Sequence, residues 1–432
     1  MPVPEPAAFL PDTDLKPALL IFTYGQSNAD GFVTAGRPQS PLLENPEVLT
    51  PSASNAREVS GQRKQARQVF WQDGRRLRPE HLQRIMPTAW RAIGSTSILH
   101  VAGSVLMASG GYDGIYVQSA AKGGMRLVGL PPPHQYLTGI FRLADGSVSP
   151  ILQDMLDDAA ELLAAARANG RDASRCYILF IHGEADRATP VDAYVEAFHQ
   201  AKTMIDESLI RLGCRPHWLV TQIAGTTGEF SGNDWHSRQA ILRIAQQGGA
   251  NLTFLGPLYP YSLQDSIHHG PEGKTLIGEL SALAISALEA GQAWHAPRPL
   301  SWRRLDDRRI QIDVFADGPL MTDHDAPAYP NFGFSLPARI PNRISDVALT
   351  GPDRIVVELE SPARGGLVLD YAFRRSDPAS RGEPRPLPFG GGQIRTGFSS
   401  PSRIYPGKHL HHWLPGFRLA IPPGQAAGPF TP

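Results

Sequence analysis

The sequence predicts an α/β fold with a doubly wound parallel sheet, followed by a smaller all-β domain. Three observations lead to this prediction. Short apolar runs alternate with helical patterns up to about residue 291, the chain has room for more than one domain, and β-type runs replace helical periodicity after residue 297. We expect an N-terminal tail over 1–16, an α/β domain over 17–295 and a β-rich domain over 296–432.

Five short and largely apolar runs are the candidate strands of the parallel sheet. A strand buried on both faces has a continuous apolar sequence instead of alternating polar and apolar residues. The predicted strands cover 18–23, 114–120, 176–181, 217–222 and 251–255. Their alternation with helices is typical of a doubly wound, flavodoxin-like sheet.

Helical periodicity is clearest between the second and third of these strands. Apolar residues recur there at three- and four-residue intervals, with Asp and Glu between them. They are Leu152, Met155, Leu156, Ala159, Leu162 and Leu163. Further helices are predicted over 191–212, 236–247 and 272–290, the last of them after a Gly-Pro pair that suits a helix start.

Residues 38–94 interrupt this rhythm. The segment is rich in Pro, Ser, Arg and Gln and has only scattered apolar residues, so we interpret it as an insertion over the loop-bearing face of the sheet. Loops of this length are functional lids or binding elements, or they are disordered, and both alternatives stay open here.

In the C-terminal part, the β-type runs lie at 310–315, 355–359, 366–371 and 417–421.

Composition argues against several classes of partner. The 41 basic and 41 acidic residues balance, so no field favours nucleic acid. No run of about 18 apolar residues occurs, and the N-terminus lacks the pattern of a signal peptide. The two cysteines, Cys176 and Cys214, are read as buried thiols. We therefore expect no membrane partner and a cytoplasmic location, with export without a signal peptide as the open alternative.

Ser27 is the first candidate catalytic residue. It follows the first predicted strand, and open α/β sheets bind ligands at the carboxyl ends of their strands. A serine there presents its hydroxyl close to free backbone N–H groups, which stabilise the oxyanion formed when the serine attacks a carbonyl. The alternative is that Ser27 or Asn28 only caps a helix.

Asp265 and His268 lie together on the loop after the fifth predicted strand. A carboxylate three residues before a histidine can hold the Nδ1–H group, which leaves Nε2 free to take the proton of a serine. His269 is a rival base. The plainer alternative is a surface loop with incidental polar residues.

Two further loops open on the same edge of the sheet. Gly123 and Gly124 follow the second strand, and His182, Gly183 and Glu184 follow the third. Either glycine can bring a backbone N–H to an oxyanion, and the histidine can donate a side-chain hydrogen bond. A simple turn and a structural histidine are the alternatives.

A metal site is the competing interpretation of the third loop, because His182, Glu184 and Asp186 are all ligand types. We prefer an interpretation without metal or other cofactor. Neighbouring strand-end residues point to opposite sides, and no second ligand cluster is evident. Glu184 and Asp186 are expected to orient the site or to bind neighbouring backbone.

These blocks together resemble the SGNH hydrolases, and within them the sialate O-acetylesterase and acetyl xylan esterase-like carbohydrate esterases. Residues 25–28 resemble the Gly-Gln-Ser-Asn nucleophile block of that group, 123–124 its glycine block and 183–186 its Gln-Gly-Glu-Ser-Asp block. Asp265 and His268 resemble the closing Asp-x-x-His block. The blocks follow the order of the family.

The resemblance implies a serine esterase that removes acetyl or other short acyl groups from O-acetylated sugars or polysaccharides. It makes Ser27 the nucleophile and places Gln26 and Asn28 beside the oxyanion or substrate. One departure is His182, which stands where the family has Gln. The alternatives are a short-chain lipase or thioesterase on the same scaffold, or a catalytically silent carbohydrate-binding or structural protein.

Overall fold

The structure of the protein is a computed structural model that describes most of the chain. The described residues are 15–29, 40–44, 48–51, 82–84, 98–130, 139–224, 236–265, 267–326, 328–337, 340–363, 365–372 and 391–431.

A seven-stranded sheet forms the centre of the α/β part. The strands of this part are β1 (Lys16–Gly25), β2 (Val48–Pro51), β3 (Leu82–Arg84), β4 (Gly114–Ala121), β5 (Arg126–Val128), β6 (Gly139–Arg142), β7 (Arg171–Ile181), β8 (Arg215–Gln222) and β9 (Leu252–Pro257). The sheet order is β3-β2-β4-β1-β7-β8-β9, and β5 pairs with β6 apart from it. The strands β4-β1-β7-β8-β9 are parallel throughout. If only these five strands are counted along the chain, their order in the sheet is 2-1-3-4-5, as in flavodoxin-like sheets.

Helices cover both faces of this sheet. They are α1 (Ile98–Ser109), α2 (Pro150–Ala168), α3 (Val191–Arg211), α4 (His236–Gln247) and α5 (Pro271–Glu289). Side chains of β1 alternate between two cores: Leu19 and Ile21 pack with α1 and α5, whereas Leu20 and Phe22 pack with α2 and α3. The alternation follows from the two-residue period of a strand, so β1 is buried on both faces.

The mixed α/β architecture with five parallel strands, and with additional antiparallel sheets, is confirmed. All five predicted strands and all four predicted helices are present, with ends that differ by a few residues. Helix α1 and the short strands β2, β3, β5 and β6 were not predicted.

Three short pieces of the segment 38–94 are described, namely 40–44, 48–51 and 82–84. Strand β2 pairs in parallel with β4, with Val48 opposite Ile115, and β3 pairs antiparallel with β2, so these two strands extend one edge of the sheet. Leu43 adds a buried side chain to the core that contains α1 and α5. The rest of the segment lies outside the described residues, and the insertion over the loop-bearing face stays a prediction.

Antiparallel strands make up the C-terminal part. They are β10 (Arg298–Arg304), β11 (Arg309–Phe315), β12 (Leu320–Thr322), β13 (Phe334–Ser335), β14 (Ile344–Gly351), β15 (Arg354–Leu359), β16 (Leu367–Tyr371), β17 (Ile394–Pro401), β18 (His409–Trp413), β19 (Phe417–Ile421) and β20 (Ala427–Pro429). They form three sheets, β14-β15-β11-β10-β20, β12-β17-β18 and β13-β16-β19. The boundary near residue 296 stays a prediction.

The antiparallel part contacts the carboxyl edge of the parallel sheet. Gln222, the last residue of β8, donates from Nε2 to the carbonyl oxygen of Gly416 at 2.8 Å and accepts from the Gly416 N–H at 2.8 Å. The hydroxyl of Tyr259, just after β9, donates to the carbonyl oxygen of Leu414 at 2.8 Å. The β-rich part therefore adjoins the edge on which the candidate loops open.

Two simpler expectations concern cysteines and membrane helices. Cys176 and Cys214 are free and buried, and burial raises the pKa of Cys214 to about 12. No helix among the described residues combines the length and the apolar character that a membrane crossing requires.

Candidate active site

Three side chains from two distant parts of the chain form one hydrogen-bonded row at the carboxyl edge of the sheet. The Oγ atom of Ser27 lies 2.9 Å from Nε2 of His268. Nδ1 of the same imidazole lies 2.8 Å from Oδ2 of Asp265. The structure thus brings together the three residues that the sequence predicted as nucleophile, base and orienting acid.

Ser27 lies in a tight turn directly after β1. The N–H group of Ala29 donates to the carbonyl oxygen of Gln26 at 2.8 Å, which closes the turn. Gly25 permits the approach of β7, because a Cβ atom added to it would lie 2.0 Å from the carbonyl oxygen of Ile181. The local chain therefore needs glycine at position 25 in order to present the hydroxyl of Ser27 at the edge.

The loop between β9 and α5 holds Asp265 and His268 in a fixed relation. Oδ1 of Asp265 accepts from the N–H groups of Ile267 and His268 at 2.8 and 2.7 Å. Partial burial alone would raise the pKa of Asp265, but these two bonds and the imidazole bond outweigh it and lower that pKa. The ionised carboxylate accepts the Nδ1–H of His268, so the lone pair of Nε2 faces the hydroxyl of Ser27.

His269 does not take the position of the base. Its imidazole is buried, and burial lowers its pKa to about 3, so the ring is neutral. Its backbone N–H donates to Oδ1 of Asn28 at 3.0 Å. Of the two adjacent histidines, only His268 is hydrogen-bonded to Ser27.

Backbone N–H groups next to Ser27 are the candidate oxyanion donors. Gly123 lies beside the serine, since an added Cβ would be 3.5 Å from the Cβ of Ser27. Gly124 has a φ of 72°, and its turn leaves open space where a side chain would lie. Within the described part of the chain, the N–H groups of Ser27, Gly123 and Gly124 donate to no other backbone group.

His182, a candidate oxyanion donor from the sequence, binds protein atoms through both ring nitrogens. Its ring is fully buried, with Nε2 3.1 Å from the carbonyl oxygen of Met125 and Nδ1 2.9 Å from the hydroxyl of Tyr194. Burial lowers the pKa of His182, and the neutral ring can donate from Nε2 to Met125 and accept from Tyr194. Both nitrogens are thus bonded to protein, and the bond to Met125 connects the ring to the residue directly after Gly124.

Gln26 and Asn28, which were predicted to lie beside the oxyanion or substrate, bind protein atoms with their side chains. Oε1 of Gln26 accepts from the N–H groups of Gly183 and Ala185 at 3.5 and 3.2 Å, which connects the serine turn to the loop after β7. The carboxamide of Asn28 is likewise bonded to protein. Both side chains are buried and connect neighbouring loops.

Gly183 and Glu184 are framework residues of the loop after β7. Gly183 has a φ of 147°, and a Cβ atom there would lie 3.2 Å from the side chain of Ser237. Glu184 is buried, its Oε1 accepts from Nδ2 of Asn28 at 2.7 Å, and burial raises its pKa above the usual range of a glutamate. Both residues bind protein atoms, and a role beside the oxyanion or substrate stays a prediction for them.

Asp186 supports the competing metal interpretation poorly, because its oxygens bind protein donors. They accept from the N–H of Leu127 at 2.7 Å and from the hydroxyl of Thr189 at 2.5 Å. Nη2 of Arg126 lies 3.0 Å from Oδ1 of Asp186. In the described ranges no three His, Cys, Asp or Glu side chains converge as metal ligands would. Arg126 and Tyr194 were not predicted as parts of this region, because their partners lie on other loops and leave no local signal in the sequence.

Comparisons with known proteins bear on the fold. The chain resembles the crystal structure of a carbohydrate acetylesterase from Xanthomonas citri with a TM-score of 0.57 and 13% identity, over 92% of this chain and 80% of that one. It also matches NanS (TM-score 0.44, 13% identity, 65% of this chain and 99% of that one) and a protein from Arabidopsis thaliana (0.40, 12%, 62% and 98%). No protein-family model matches the sequence, and no curated protein is significantly similar to it. The first likeness shows a shared fold.

Proposed function

We propose that the protein is a serine esterase that removes acetyl or other short acyl groups from O-acetylated carbohydrate. The hydrogen-bonded row from Ser27 through His268 to Asp265 is the observation that carries this proposal. Such a row activates a serine hydroxyl, which is a weak nucleophile on its own. The fold shared with a carbohydrate acetylesterase supports the choice of substrate class.

Acylation begins when Oγ of Ser27 attacks the acyl carbonyl carbon and its proton passes to Nε2 of His268. The tetrahedral intermediate carries its negative charge on the former carbonyl oxygen, within reach of the N–H groups of Ser27 and of Gly123 or Gly124. It collapses with transfer of the His268 proton to the sugar oxygen. The sugar alcohol leaves and an acyl-serine remains.

Deacylation repeats these steps with water. His268 takes a proton from the water molecule as it attacks the acyl-serine, and later returns that proton to Oγ of Ser27. Acetate or another short carboxylate leaves. Asp265 accepts the Nδ1–H throughout and stabilises the imidazolium that forms twice in each cycle, which its lowered pKa favours.

Hydrolysis of a substrate panel tests this proposal. The panel contains acetylated sugars, acetylated xylan, p-nitrophenyl esters of rising chain length and acyl thioesters. We expect acetate release with a preference for short acyl groups, and a loss of at least about 10³-fold in kcat/KM for Ser27→Ala and for His268→Ala. His269→Ala is expected to retain kcat far better.

Two outcomes would contradict different parts of this proposal, the substrate class and the identity of the base. Preference for long acyl chains or for thioesters would favour a lipase or thioesterase on the same scaffold. Near-normal turnover by His268→Ala together with inactive His269→Ala would show that the base is assigned wrongly.

A further inference from the structure

Asn28, which directly follows the proposed nucleophile, uses its whole carboxamide to bind protein. The residue is 1% exposed. Its Nδ2 donates to Oε1 of Glu184 at 2.7 Å and to the carbonyl oxygen of Ile267 at 3.1 Å, and its Oδ1 accepts from the N–H of His269 at 3.0 Å. Two acceptors on one side and one donor on the other allow a single assignment of the amide oxygen and nitrogen.

Ile267 and His269 are the two chain neighbours of His268. The carbonyl oxygen of Ile267 and the N–H of His269 belong to the two peptide groups that flank the α-carbon of His268. Asn28 therefore binds the backbone on both sides of the base, from a position one peptide bond away from Ser27. The bond from the N–H of His269 to Asn28 spans 241 positions in sequence.

The carboxyl group of Glu184 orients the carboxamide of Asn28 by a hydrogen bond. Glu184 is 2% exposed, and its Oε1 lies 2.7 Å from Nδ2 of Asn28. Burial raises the pKa of Glu184, which favours the neutral acid, and the carbonyl oxygen of a neutral acid accepts the same bond. The third loop of the site is thereby joined to the serine turn and, through it, to the histidine loop.

We propose that Asn28, oriented by Glu184, is a positioning residue that sets the distance between Oγ of Ser27 and Nε2 of His268. The proposal rests on the proposed serine-esterase function and names how its proton-transfer geometry is held. It gives the Asn of the nucleophile turn and the Glu of the third loop a shared role, distinct from contact with substrate or oxyanion.

Removal of the carboxamide tests the proposal. Asn28→Ala is expected to lower kcat by about 10²-fold, because a displacement of about 1 Å between reacting groups has a cost of that order, with KM changed by less than about threefold. Glu184→Ala is expected to lower kcat in the same way. Glu184→Gln keeps an oxygen acceptor for Asn28 and is expected to restore most of kcat.

Asn251 offers a matched control far from the site. Its Nδ2 donates to Asp206 and to the carbonyl oxygen of Pro216 at 3.0 and 3.2 Å, and its Oδ1 accepts from Lys202 at 2.7 Å. Asn251→Ala removes the same number of bonds as Asn28→Ala and is expected to lower stability without lowering kcat. Equal loss of kcat in the two variants would mean that Asn28 acts only through stability.

Two further readouts complete the test. The crystal structure of Asn28→Ala is expected to show Ser27 Oγ and His268 Nε2 beyond the hydrogen-bond limit of about 3.2 Å, a result that needs no turnover. The double variant Asn28→Ala/His268→Ala is expected to be no slower than His268→Ala, because Asn28 acts through that histidine. An unchanged distance, or wild-type kcat in Asn28→Ala while Ser27→Ala is inactive, would overturn the positioning role alone. Activity retained by Ser27→Ala would instead overturn the esterase proposal.

Discussion

His182 lies directly after β7 among the loops of the candidate site, and its ring is buried. The structure shows that Met125 and Tyr194 occupy both ring nitrogens. Those partners come from a different loop and from a helix, so no pattern around His182 indicates them. The same reason hid the protein-binding role of Asn28.

A half-buried histidine, His217, also has a consequence for stability. His217 on β8 has a pKa lowered to about 4, mainly by burial and also by Lys202, with Asp206 opposing the shift. Between about pH 6.5 and pH 4 the unfolded state binds this proton and the folded state does not. The free energy of unfolding therefore falls as the pH falls through this window.

Replacement of His217 by Gln tests this contribution. The new side chain can still bond Oγ1 of Thr253, which lies 2.9 Å from Nε2 of His217, but it does not titrate. Between pH 7 and pH 5 we expect the wild type to lose about 1–2 kcal/mol more than His217→Gln, measured by urea unfolding at each pH. An equal loss of unfolding free energy in the two proteins would show that the pKa of His217 is not lowered in the folded state.

At the scale of elements, strands buried on both faces and amphipathic helices were predictable. Apolar runs identified β1, β4, β7, β8 and β9, and the helix over 236–247 has the predicted ends. Helix α1 was missed because residues 98 to 106 are all buried, so its sequence is largely apolar on every side and has no clear amphipathic stripe. Strands β2, β3, β5 and β6 have four residues or fewer, too few to show a period.

The contact between β1 and β7 depends on a missing side chain. A Cβ at Gly25 would lie 2.0 Å from the carbonyl oxygen of Ile181, so Gly25→Ala must push the two strand ends apart. We expect a loss of about 3 kcal/mol or more in unfolding free energy, together with reduced esterase activity, because Ser27 follows two residues later.

Gly318→Ala is the control for this substitution. An added Cβ there has no atom within 4 Å, so we expect a change within about 0.5 kcal/mol in the same unfolding measurement. If both alanine variants were equally stable, the close approach of Gly25 to β7 would not limit side-chain size.

For the molecule as a whole, the location of the site followed from topology. Parallel strands present their carboxyl ends on one edge, so a serine after β1 and an Asp-x-x-His loop after β9 were expected to meet there. The meeting of Ser27, His268 and Asp265 could be predicted for that reason. The contact of the β-rich part with this edge, through Gln222 and Gly416, could not, because it depends on packing between residues 194 positions apart.

The proposed esterase depends on activation of Ser27 as a nucleophile by the Ser27–His268–Asp265 row. Reaction of the folded protein with a fluorophosphonate probe, followed by mass spectrometry of its peptides, measures this activation without a substrate. We predict a single adduct on Ser27, no adduct in Ser27→Ala and labelling at least about 10²-fold slower in His268→Ala. Absence of labelling at Ser27, or labelling that does not depend on His268, would contradict the account.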